Sequence, residues 1–484
     1  MKQAVIIGGG IAGIASSLRL NKLGYKVTLL EASDTLGGKL RQFEVEGFRF
    51  DQGPSLFTLP HLVEELFALY GKNVNEYFQY EESEIATQYF FSDKSIFTAY
   101  SDPKKFSEEV LKKWGVDVSQ VLQNIIDDYN KTSPIFIENS LTKVSDLLTK
   151  EVWVALPVLT RIGVFESLHQ FNKKHFKHPQ LVQLFDRYAT YNGSNPYQTP
   201  SIMRVISALE HQDGVFFPKR GMRSIVTSLV QLAEEEGVTF LTNKKVESIS
   251  VSNQKNIRSV KTSDGVFDAD LVVSNVDVNF FIPNILDKKI RVPKEKELSS
   301  SAMVFYWGVN KSFDQLHLHN IFFSEDYKKE FQEIFDDFKI PTDPTIYVHI
   351  SSKINEDDAP KGSENWFVMI NVPPKPELFT KEVIAKIEKR VMAILSKQLE
   401  TNLEEVISYS SYWSPKLIEQ DTQSWKGALY GLNSNKLNSA FYRQRNKSKD
   451  INNLYFVGGS VHPGGGIPLC LNSAKIVEEL ITNQ

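Results

Sequence analysis

Residues 4–7 (AVII) form a continuous apolar run, which is typical of a strand buried on both faces of a sheet. From Ile11 to Leu18, apolar side chains recur at i, i+3, i+4 and i+7, which predicts an amphipathic helix that stops at Gly24. Residues 26–31 (KVTLLE) predict a second strand. The order strand, helix, strand predicts a βαβ unit at the start of the chain.

The same analysis extends along the rest of the chain. Residues 104–190 contain few glycines and alternate basic with apolar clusters, which predicts a mostly helical region. Further helices are predicted within residues 221–237 and 468–481. Strands are predicted, from alternation or short apolar runs, within residues 238–251, 269–274, 300–310, 345–351 and 454–457. This mixture of strands and helices predicts an α/β protein.

Composition excludes several classes of protein. Hydrophobic residues make up 41% of the 484 residues and charged residues 24%, which excludes a disordered or fibrous chain. The net charge of −4 argues against a general nucleic-acid binder, which would carry a basic excess. The one cysteine, Cys470, excludes an internal disulfide and a cysteine-rich metal centre. Because no histidine-rich metal spacing is present either, no metal is expected.

Targeting and membrane-spanning patterns are not found. Residues 1–10 reach glycines after four apolar residues, unlike a signal peptide. No run reaches the roughly 18 uncharged apolar residues of a membrane span, and the longest candidate, Val152–Phe165, is broken by Pro157 and Arg161. We therefore expect a cytoplasmic protein. Its aromatic content of 12% would suit a large apolar pocket.

Gly8, Gly10 and Gly13 form a GxGxxG motif between the first predicted strand and the first predicted helix. In this context the first glycine allows a tight turn, the second lets the backbone approach a pyrophosphate, and the third allows close packing of helix on strand. Free N–H groups at the helix start favour phosphate. Glu31 ends the second strand and is placed to accept hydrogen bonds from an adenosine ribose. The segment therefore predicts dinucleotide binding.

Two further turns follow, at residues 37–39 (Gly-Gly-Lys) and 53–55 (Gly-Pro-Ser). With the first motif they resemble the flavin-containing amine oxidoreductase superfamily, in which a Gly-Gly-basic turn follows the ribose-binding acid. This resemblance implies FAD as the cofactor. Arginine is common where this chain has Lys39. Lysine can supply a point charge to the pyrophosphate but lacks the bidentate fork of arginine.

Residues 457–475 (VGGSVHPGGGIPLCLNSAK) carry the most specific motif. They closely resemble the bacterial-type carotenoid (phytoene) desaturases, whose pattern has a glycine pair, a His-Pro-Gly-x-Gly-Ile-Pro run and a Ser-Ala-Lys helix. Residues 187–197 (RYATYNGSNPY) look most like the branch that 3,4-desaturates carotenoids hydroxylated at C1. A helix N-terminus aimed at the pyrimidine edge of the flavin would stabilise negative charge on the ring.

The resemblance implies cofactor-binding residues in separated parts of the chain. They are Gly8, Gly10, Ala12, Gly13, Glu31, Gly38, Lys39, Ser55, Leu56, Val246, Asn275, Gly459, Gly466 and Ile467. Val246 is expected to contact adenine through its backbone, and FAD is expected to bind non-covalently. Near the substrate hydroxyl, the candidates are Tyr191, Asn192 and Asn195, unless these residues only form a polar turn around Gly193.

The implied fold is α/β, with a Rossmann-like FAD-binding domain, a second mixed-sheet substrate domain and a helical subdomain. We expect the FAD-binding domain to be discontinuous and to comprise residues 1–75, 210–290 and 425–484. The substrate domain would comprise residues 76–103 and 291–424. Residues 104–209 would form the helical subdomain, which is a candidate to face the membrane.

The implied reaction is the introduction of a carbon–carbon double bond into a C40 carotenoid, with 3,4-desaturation of a 1-hydroxycarotenoid as the main interpretation. The alternatives are a phytoene desaturase, a flavin-dependent carotenoid isomerase, an amine or porphyrinogen oxidase, and a non-enzymatic prenyl-protein escort. No second dinucleotide fingerprint is visible, so no NAD(P)H domain is expected, and oxygen or a quinone would accept the electrons. Nucleic acid is not an expected partner.

Three features of the sequence each allow two interpretations. His462 either acts as a base or shapes its loop, so no catalytic residue is assigned. Cys470 either packs as a small apolar residue or anchors the flavin. The basic cluster at residues 173–178 and the apolar stretch at residues 152–165 fit either a solvated face and a core helix or contact with an anionic membrane. Since carotenoids dissolve in membranes, we expect a peripheral position on the inner face of the cell membrane.

Overall fold

The computed structural model describes residues 1–133, 166–436 and 443–483. Its strands are β1 (Gln3–Ile7), β2 (Lys26–Leu30), β3 (Arg41–Val45), β4 (Phe48–Gln52), β5 (Tyr80–Glu82), β6 (Ile85–Phe90), β7 (Ile96–Tyr100), β8 (Phe216–Pro218), β9 (Thr239–Leu241), β10 (Val246–Val251), β11 (Ile257–Thr262), β12 (Gly265–Asp268), β13 (Leu271–Ser274), β14 (Ser301–Val309), β15 (His319–Phe322), β16 (Ile346–Ile350), β17 (Glu364–Val372), β18 (Ile407–Trp413) and β19 (Leu454–Phe456).

The α-helices of the described residues connect and cover these strands. They are α1 (Ile11–Lys22), α2 (His61–Ala68), α3 (Pro103–Trp114), α4 (Ser119–Ser133), α5 (Leu168–Phe176), α6 (Pro179–Asp186), α7 (Ile206–His211), α8 (Arg223–Glu235), α9 (Val278–Asn284), α10 (Tyr327–Phe335), α11 (Lys381–Gln398), α12 (Leu403–Val406), α13 (Pro415–Thr422) and α14 (Ile467–Thr482). A 3₁₀-helix, Arg187–Asn192, links α6 to the segment that leads into α7.

Five parallel strands form the first sheet, in the order β19-β13-β1-β2-β9. Successive residues of β1 face opposite sides: Ala4 and Ile6 join the core formed with α1, α8 and α14. Val5 and Ile7 join a separate core with the antiparallel sheet β10-β11-β12. This arrangement explains the continuous apolar run of β1, because a strand covered on both sides has no solvent face. The predicted βαβ unit is confirmed.

A seven-stranded sheet has the order β18-β14-β17-β16-β15-β6-β7. Its neighbouring strands are antiparallel except for β15 and β6, so the sheet is mixed. On one face, Trp307 and Val348 pack against Val391 and Leu395 of α11. The opposite face carries residues such as Phe367 that line the main cavity of the molecule.

Helices α3 to α7 pack around their own core, in which the rings of Phe176 and Phe185 stack with centroids 3.7 Å apart. The predicted helical character of residues 104–190 is confirmed where the structure describes them. The apolar stretch Val152–Phe165 lies outside the described residues. Of the helices that the structure describes, none is both long enough and apolar enough to cross a membrane.

The predicted α/β fold, with its Rossmann-like sheet, mixed sheet and helical region, is confirmed. The chain contributes to the parallel sheet in three separate segments, residues 3–30, 239–274 and 454–456, so this sheet is discontinuous in sequence. The proposed domain boundaries stay a prediction.

Candidate functional site

A cavity of about 890 Å³ opens at the carboxyl ends of β1 and β2. Ligands of parallel α/β sheets bind at this edge. The cavity continues from the glycine loops to apolar side chains of the seven-stranded sheet and of the helical region, which include Val304, Ile321, Phe367, Ile202 and Leu209. Its volume lies toward the upper end of the roughly 300–1,000 Å³ that small-molecule sites occupy.

Most of the predicted site residues line this cavity. Those that do are Gly8, Gly10, Ala12, Glu31, Gly38, Lys39, Ser55, Leu56, Tyr191, Asn192, Val246, Asn275, Gly459, Gly466 and Ile467. Gly13 and Asn195 are not among the lining residues. The structure therefore brings together segments from the N-terminus, the middle and the C-terminus of the chain, whereas their roles in binding stay predictions.

Gly13 of the first motif allows α1 to pack closely against β1. A Cβ atom at this position would lie 2.1 Å from the carbonyl oxygen of Gly8, so glycine is needed for α1 to approach β1 this closely. The N-cap of α1 is Gly10, which has no capping side chain. The N-terminus of α1 thus borders the cavity with backbone N–H groups and the positive end of the helix dipole, and both features fit a pyrophosphate.

Glu31 connects the end of β2 to the glycine loop. One carboxylate oxygen accepts a hydrogen bond from the N–H of Gly9 at 2.6 Å. The other accepts hydrogen bonds from the N–H and the hydroxyl of Ser33, at 2.8 and 2.9 Å. A carboxylate offers about four lone-pair positions, so this group can still accept about one hydrogen bond from a ribose.

Asn275 follows β13 and holds the same loop from the other side. With its amide oriented to satisfy its neighbours, the oxygen of Asn275 accepts hydrogen bonds from the N–H groups of Gly10 at 3.2 Å and Gly13 at 3.3 Å. Asn275 also lines the cavity. Its amide therefore positions the backbone that would surround the phosphates.

The C-terminal motif forms a loop between β19 and α14. Gly466 has a φ of +114°, a conformation that strongly favours glycine, and a Cβ atom there would meet no protein atom within 4 Å. Because Gly466 also lines the cavity, such a Cβ would project into open space that the glycine leaves free for a ligand. The loop can thus approach a flat ring with its backbone alone.

Two reactive residue types lie at this end of the cavity, His462 and Cys470. Burial raises the pKa of the Cys470 thiol to about 11, so the nucleophilic thiolate is scarce at neutral pH. The backbone carbonyl of His462 accepts a hydrogen bond from the side chain of Asn446 at 2.8 Å. The catalytic role of His462 stays open.

Arg187 and Glu210 form a buried ion pair, with 3.3 Å between their closest atoms. The Glu210 carboxylate also accepts hydrogen bonds from the hydroxyls of Tyr188, at 2.6 Å, and of Tyr191. The hydroxyl of Tyr191 accepts a further hydrogen bond from Arg187 at 3.2 Å. The Tyr191 hydroxyl is therefore already engaged within the protein.

The two asparagines of residues 187–197, Asn192 and Asn195, differ in their hydrogen bonds. The side-chain nitrogen of Asn192 donates to the hydroxyl of Ser434 at 3.2 Å, while its buried oxygen has no hydrogen-bond partner in the described part of the chain. Asn195 instead accepts a hydrogen bond from the N–H of Tyr197 at 2.9 Å, and its own N–H donates to Asn435 at 2.7 Å. Asn195 thus stabilises the turn, which is the alternative that the sequence left open.

Sequence reasoning missed a hydrogen-bonded chain on the seven-stranded sheet. The Ser55 hydroxyl lies 2.8 Å from the Tyr347 hydroxyl, which lies 2.7 Å from Nδ1 of His319. All three residues line the cavity. Burial lowers the pKa of His319 to about 4, so its imidazole is neutral at physiological pH. The Gly-Pro-Ser turn contains Ser55, but no motif connects it to Tyr347, because the two residues are 292 positions apart in the chain.

Taken together, these features fit a dinucleotide that carries a flat ring. The first motif provides a helix N-terminus and Glu31 at one part of the cavity. The C-terminal loop provides the Gly466 cradle at another, beside α14. A flavin dinucleotide needs both features.

Comparisons with known proteins identify the relatives of this chain. The family model of the flavin containing amine oxidoreductases matches residues 11–477. The chain is 46% identical over 489 residues to a 1-hydroxycarotenoid 3,4-desaturase from Flavobacterium sp., covering 100% of this chain and 99% of that protein. It is 32% identical over 492 residues to a 4,4'-diaponeurosporene oxygenase from Staphylococcus haemolyticus, covering 99% of this chain and 97% of that protein.

A solved structure shows the same fold. A putrescine oxidase variant superposes with a TM-score of 0.66 at 13% sequence identity, over 100% of this chain and 99% of that chain. The predicted resemblance to the carotenoid desaturases is confirmed, a flavin is the cofactor, and the non-enzymatic escort is excluded. The chain belongs to the flavin-containing amine oxidoreductase family and is an oxidoreductase.

Proposed function

We propose that this protein is an FAD-dependent carotenoid desaturase that introduces the 3,4 double bond into a 1-hydroxycarotenoid during carotenoid biosynthesis. The observation that carries the proposal is the cavity, which joins the two glycine loops to apolar side chains of the sheet and the helical region. A desaturase needs this continuity, because the polyene must lie against the flavin ring. The 46% identity to a 1-hydroxycarotenoid 3,4-desaturase supports the choice of substrate.

FAD would bind non-covalently, with its pyrophosphate at the start of α1 and its ribose at Glu31. The loop before α14 would border the ring, where Gly466 leaves room for it. When bound, FAD supplies an acceptor for a hydride from an allylic CH₂ group, and the neighbouring carbon loses a proton as the double bond forms. The apolar side chains that line this part of the cavity would exclude water once the polyene is bound. Aromatic faces such as that of Phe367 can stabilise positive charge that develops on the polyene.

The C1 hydroxyl of the substrate would meet Asn192. The unpartnered side-chain oxygen of Asn192 can accept a hydrogen bond from a hydroxyl, whereas the Tyr191 hydroxyl is already engaged by Glu210. A purely hydrocarbon end would leave this buried oxygen without a partner, at a cost of about 1–3 kcal/mol. This difference would favour hydroxylated carotenoids over phytoene.

We further expect the protein to bind peripherally to the inner face of the cell membrane, where its substrate dissolves. Oxygen or a quinone would reoxidise the flavin, because the sequence contains no second dinucleotide fingerprint. Neither expectation depends on the exact position of the new double bond.

The experiment supplies the purified protein with phytoene and, separately, with a 1-hydroxylated acyclic or monocyclic carotene. We expect the hydroxylated carotene to lose two hydrogens and its absorption maximum to move to longer wavelength. Repeated desaturation of phytoene without action on the hydroxylated carotene would instead identify a phytoene desaturase. An unchanged mass with altered geometry would identify an isomerase, and a gain of oxygen would identify an activity like that of the 4,4'-diaponeurosporene oxygenase relative.

A further inference from the structure

Two cationic side chains, those of Lys39 and Arg443, line the flavin cavity without a carboxylate ion pair in the described part of the chain. The Nζ of Lys39 donates a hydrogen bond to the carbonyl oxygen of Leu429 at 2.8 Å. The guanidinium of Arg443 donates to the carbonyl oxygens of Tyr430, at 2.8 Å, and Leu432, at 2.9 Å. Carbonyl groups satisfy the donors but do not neutralise the charges.

A buried charge is costly unless an opposite charge compensates it. Burial lowers the pKa of Lys39, an effect that Asp277 offsets only in part. Asp277 is itself engaged as the N-cap of α9 and accepts a hydrogen bond from the N–H of Asn279 at 2.9 Å. At this part of the cavity two cationic side chains therefore lie beside one carboxylate. Such a site is suited to a ligand that carries negative charge.

The positions of the two cations indicate which part of the ligand they face. Their acceptors are consecutive residues, Leu429 for Lys39 and Tyr430 for Arg443, and both cations line the cavity together with Cys470 of the first turn of α14. Arg443 packs against the C-terminal loop, where a Cβ atom on Gly464 would lie 3.2 Å from its Nε, and it also donates to the carbonyl of Gly459 at 3.4 Å. This is the end of the cavity proposed to border the ring, and the start of α14 adds its helix dipole there.

We propose that Lys39 and Arg443 together form a positive site against the flavin ring and raise its reduction potential. This proposal gives Lys39 a different role from the one that the family resemblance implied, which was to interact with the pyrophosphate. Cations beside the ring favour the electron-rich form over the oxidised form, because negative charge accumulates on the ring when it takes up electrons. The proposal rests on the flavin cofactor and not on the identity of the carotenoid.

The test uses the purified holoprotein and measures the midpoint reduction potential and the affinity of the bound flavin for sulfite. Sulfite binding also places negative charge on the ring, so it reports the same electrostatic field without turnover. The charge-removing variants are Lys39→Met and Arg443→Gln. We expect each to weaken sulfite binding about tenfold or more and to lower the midpoint potential by about 30 mV for each tenfold change in the two-electron equilibrium.

Charge-preserving and control variants separate charge from shape. Lys39→Arg and Arg443→Lys should keep the potential close to that of the wild-type protein. Lys244→Met is the matched control, because Lys244 also lines the cavity but forms an ion pair with Asp264. We expect this control to leave the potential and the sulfite affinity unchanged.

Three results would overturn the proposal. The first is an unchanged potential and sulfite affinity in the charge-removing variants. The second is weaker FAD binding with an unchanged potential, because the cations would then serve the phosphates. The third is an equal shift in the charge-preserving variants. If Arg443→Gln does not fold, the result for Lys39→Met by itself tests the proposal. This substitution removes a hydrogen bond to one carbonyl group, that of Leu429. The carotenoid assay is independent of each result.

Discussion

The carboxylate of Glu31 accepts a hydrogen bond from the N–H of Gly9 at 2.6 Å, so the acidic residue that follows β2 also holds the glycine loop before α1. The contact connects two parts of the same expected binding site. A change at Glu31 therefore acts on the ribose contact and on the shape of the phosphate loop together.

We expect Glu31→Ala to lower the affinity for FAD by about 10- to 100-fold, because charged hydrogen bonds contribute roughly 1.5–3 kcal/mol each. Equilibrium titration of the apoprotein with FAD measures the effect. Glu31→Gln is the matched variant: it keeps the shape and one acceptor oxygen, and it should show a smaller loss. Unchanged affinity in Glu31→Ala would show that the ribose does not bind at β2.

We expect FAD to leave the protein on acid precipitation, because burial holds the Cys470 thiol in its protonated, poorly nucleophilic form. The measurement is the yellow colour of the supernatant after precipitation of the wild-type protein and of Cys470→Ser. Both proteins should release the flavin equally. Colour that stays in the wild-type pellet and appears in the supernatant of Cys470→Ser would demonstrate a covalent bond to this thiol.

We expect binding to vesicles that contain anionic lipid, with Lys173, Lys174 and Lys177 of the α5 region as contacts. These lysines are exposed, and His178 beside them packs against Trp114 of α3, with ring centroids 5.5 Å apart. Leu111, which lies on the same helix as Trp114, is 52% exposed. Each lysine near an anionic surface contributes about 1 kcal/mol.

Replacing these three lysines by Gln should therefore reduce vesicle binding by roughly 100-fold in flotation assays at moderate salt. The control replaces Lys381, Lys386 and Lys389 of α11, which are also exposed but lie on the helix that covers the far side of the seven-stranded sheet. Equal losses in both triple variants would indicate a general charge effect and would argue against a membrane-binding face at α5.

We expect acid to destabilise the fold partly through His211, whose pKa burial lowers to about 4. Between pH 6.5 and 4 the unfolded chain binds a proton at this residue and the folded protein does not, so stability falls as pH falls through this window. At pH 5 the loss amounts to about 2 kcal/mol for this residue. Above pH 6.5 the contribution is constant.

His211→Phe tests this effect, because the ring of His211 already packs against Phe106 with centroids 4.5 Å apart. The melting temperature of the variant relative to the wild-type protein should rise when the pH is lowered from 8 to 5. Burial raises the pKa of Glu330 to about 7, which changes stability with the opposite sign between pH 4.5 and 7, but both proteins contain Glu330. A difference that is independent of pH would contradict the prediction.

The sequence by itself determined the elements whose signals are local. The apolar run of β1, the GxGxxG turn, the helix after it and the second strand all lie within residues 3–30, so their side-chain spacing was sufficient to predict a βαβ unit. The C-terminal glycine loop could also be predicted from the sequence, because glycine at positions such as Gly466 reflects a local need for positive φ and for free space. These motifs also indicated the family and its flavin.

Only the tertiary structure decided which distant side chains meet. Lys39 reaches the carbonyl of Leu429, 390 positions away, instead of being restricted to the turn that carries it. The hydroxyls of Ser55 and Tyr347 meet across 292 positions, and the side chain of Asn195 accepts a hydrogen bond from the N–H of Tyr197 and does not line the cavity. Side-chain spacing reports which face of an element is buried, but the partner across a cavity depends on how the two sheets and the helical region pack together. That packing makes Lys39, Arg443 and Cys470 line one cavity.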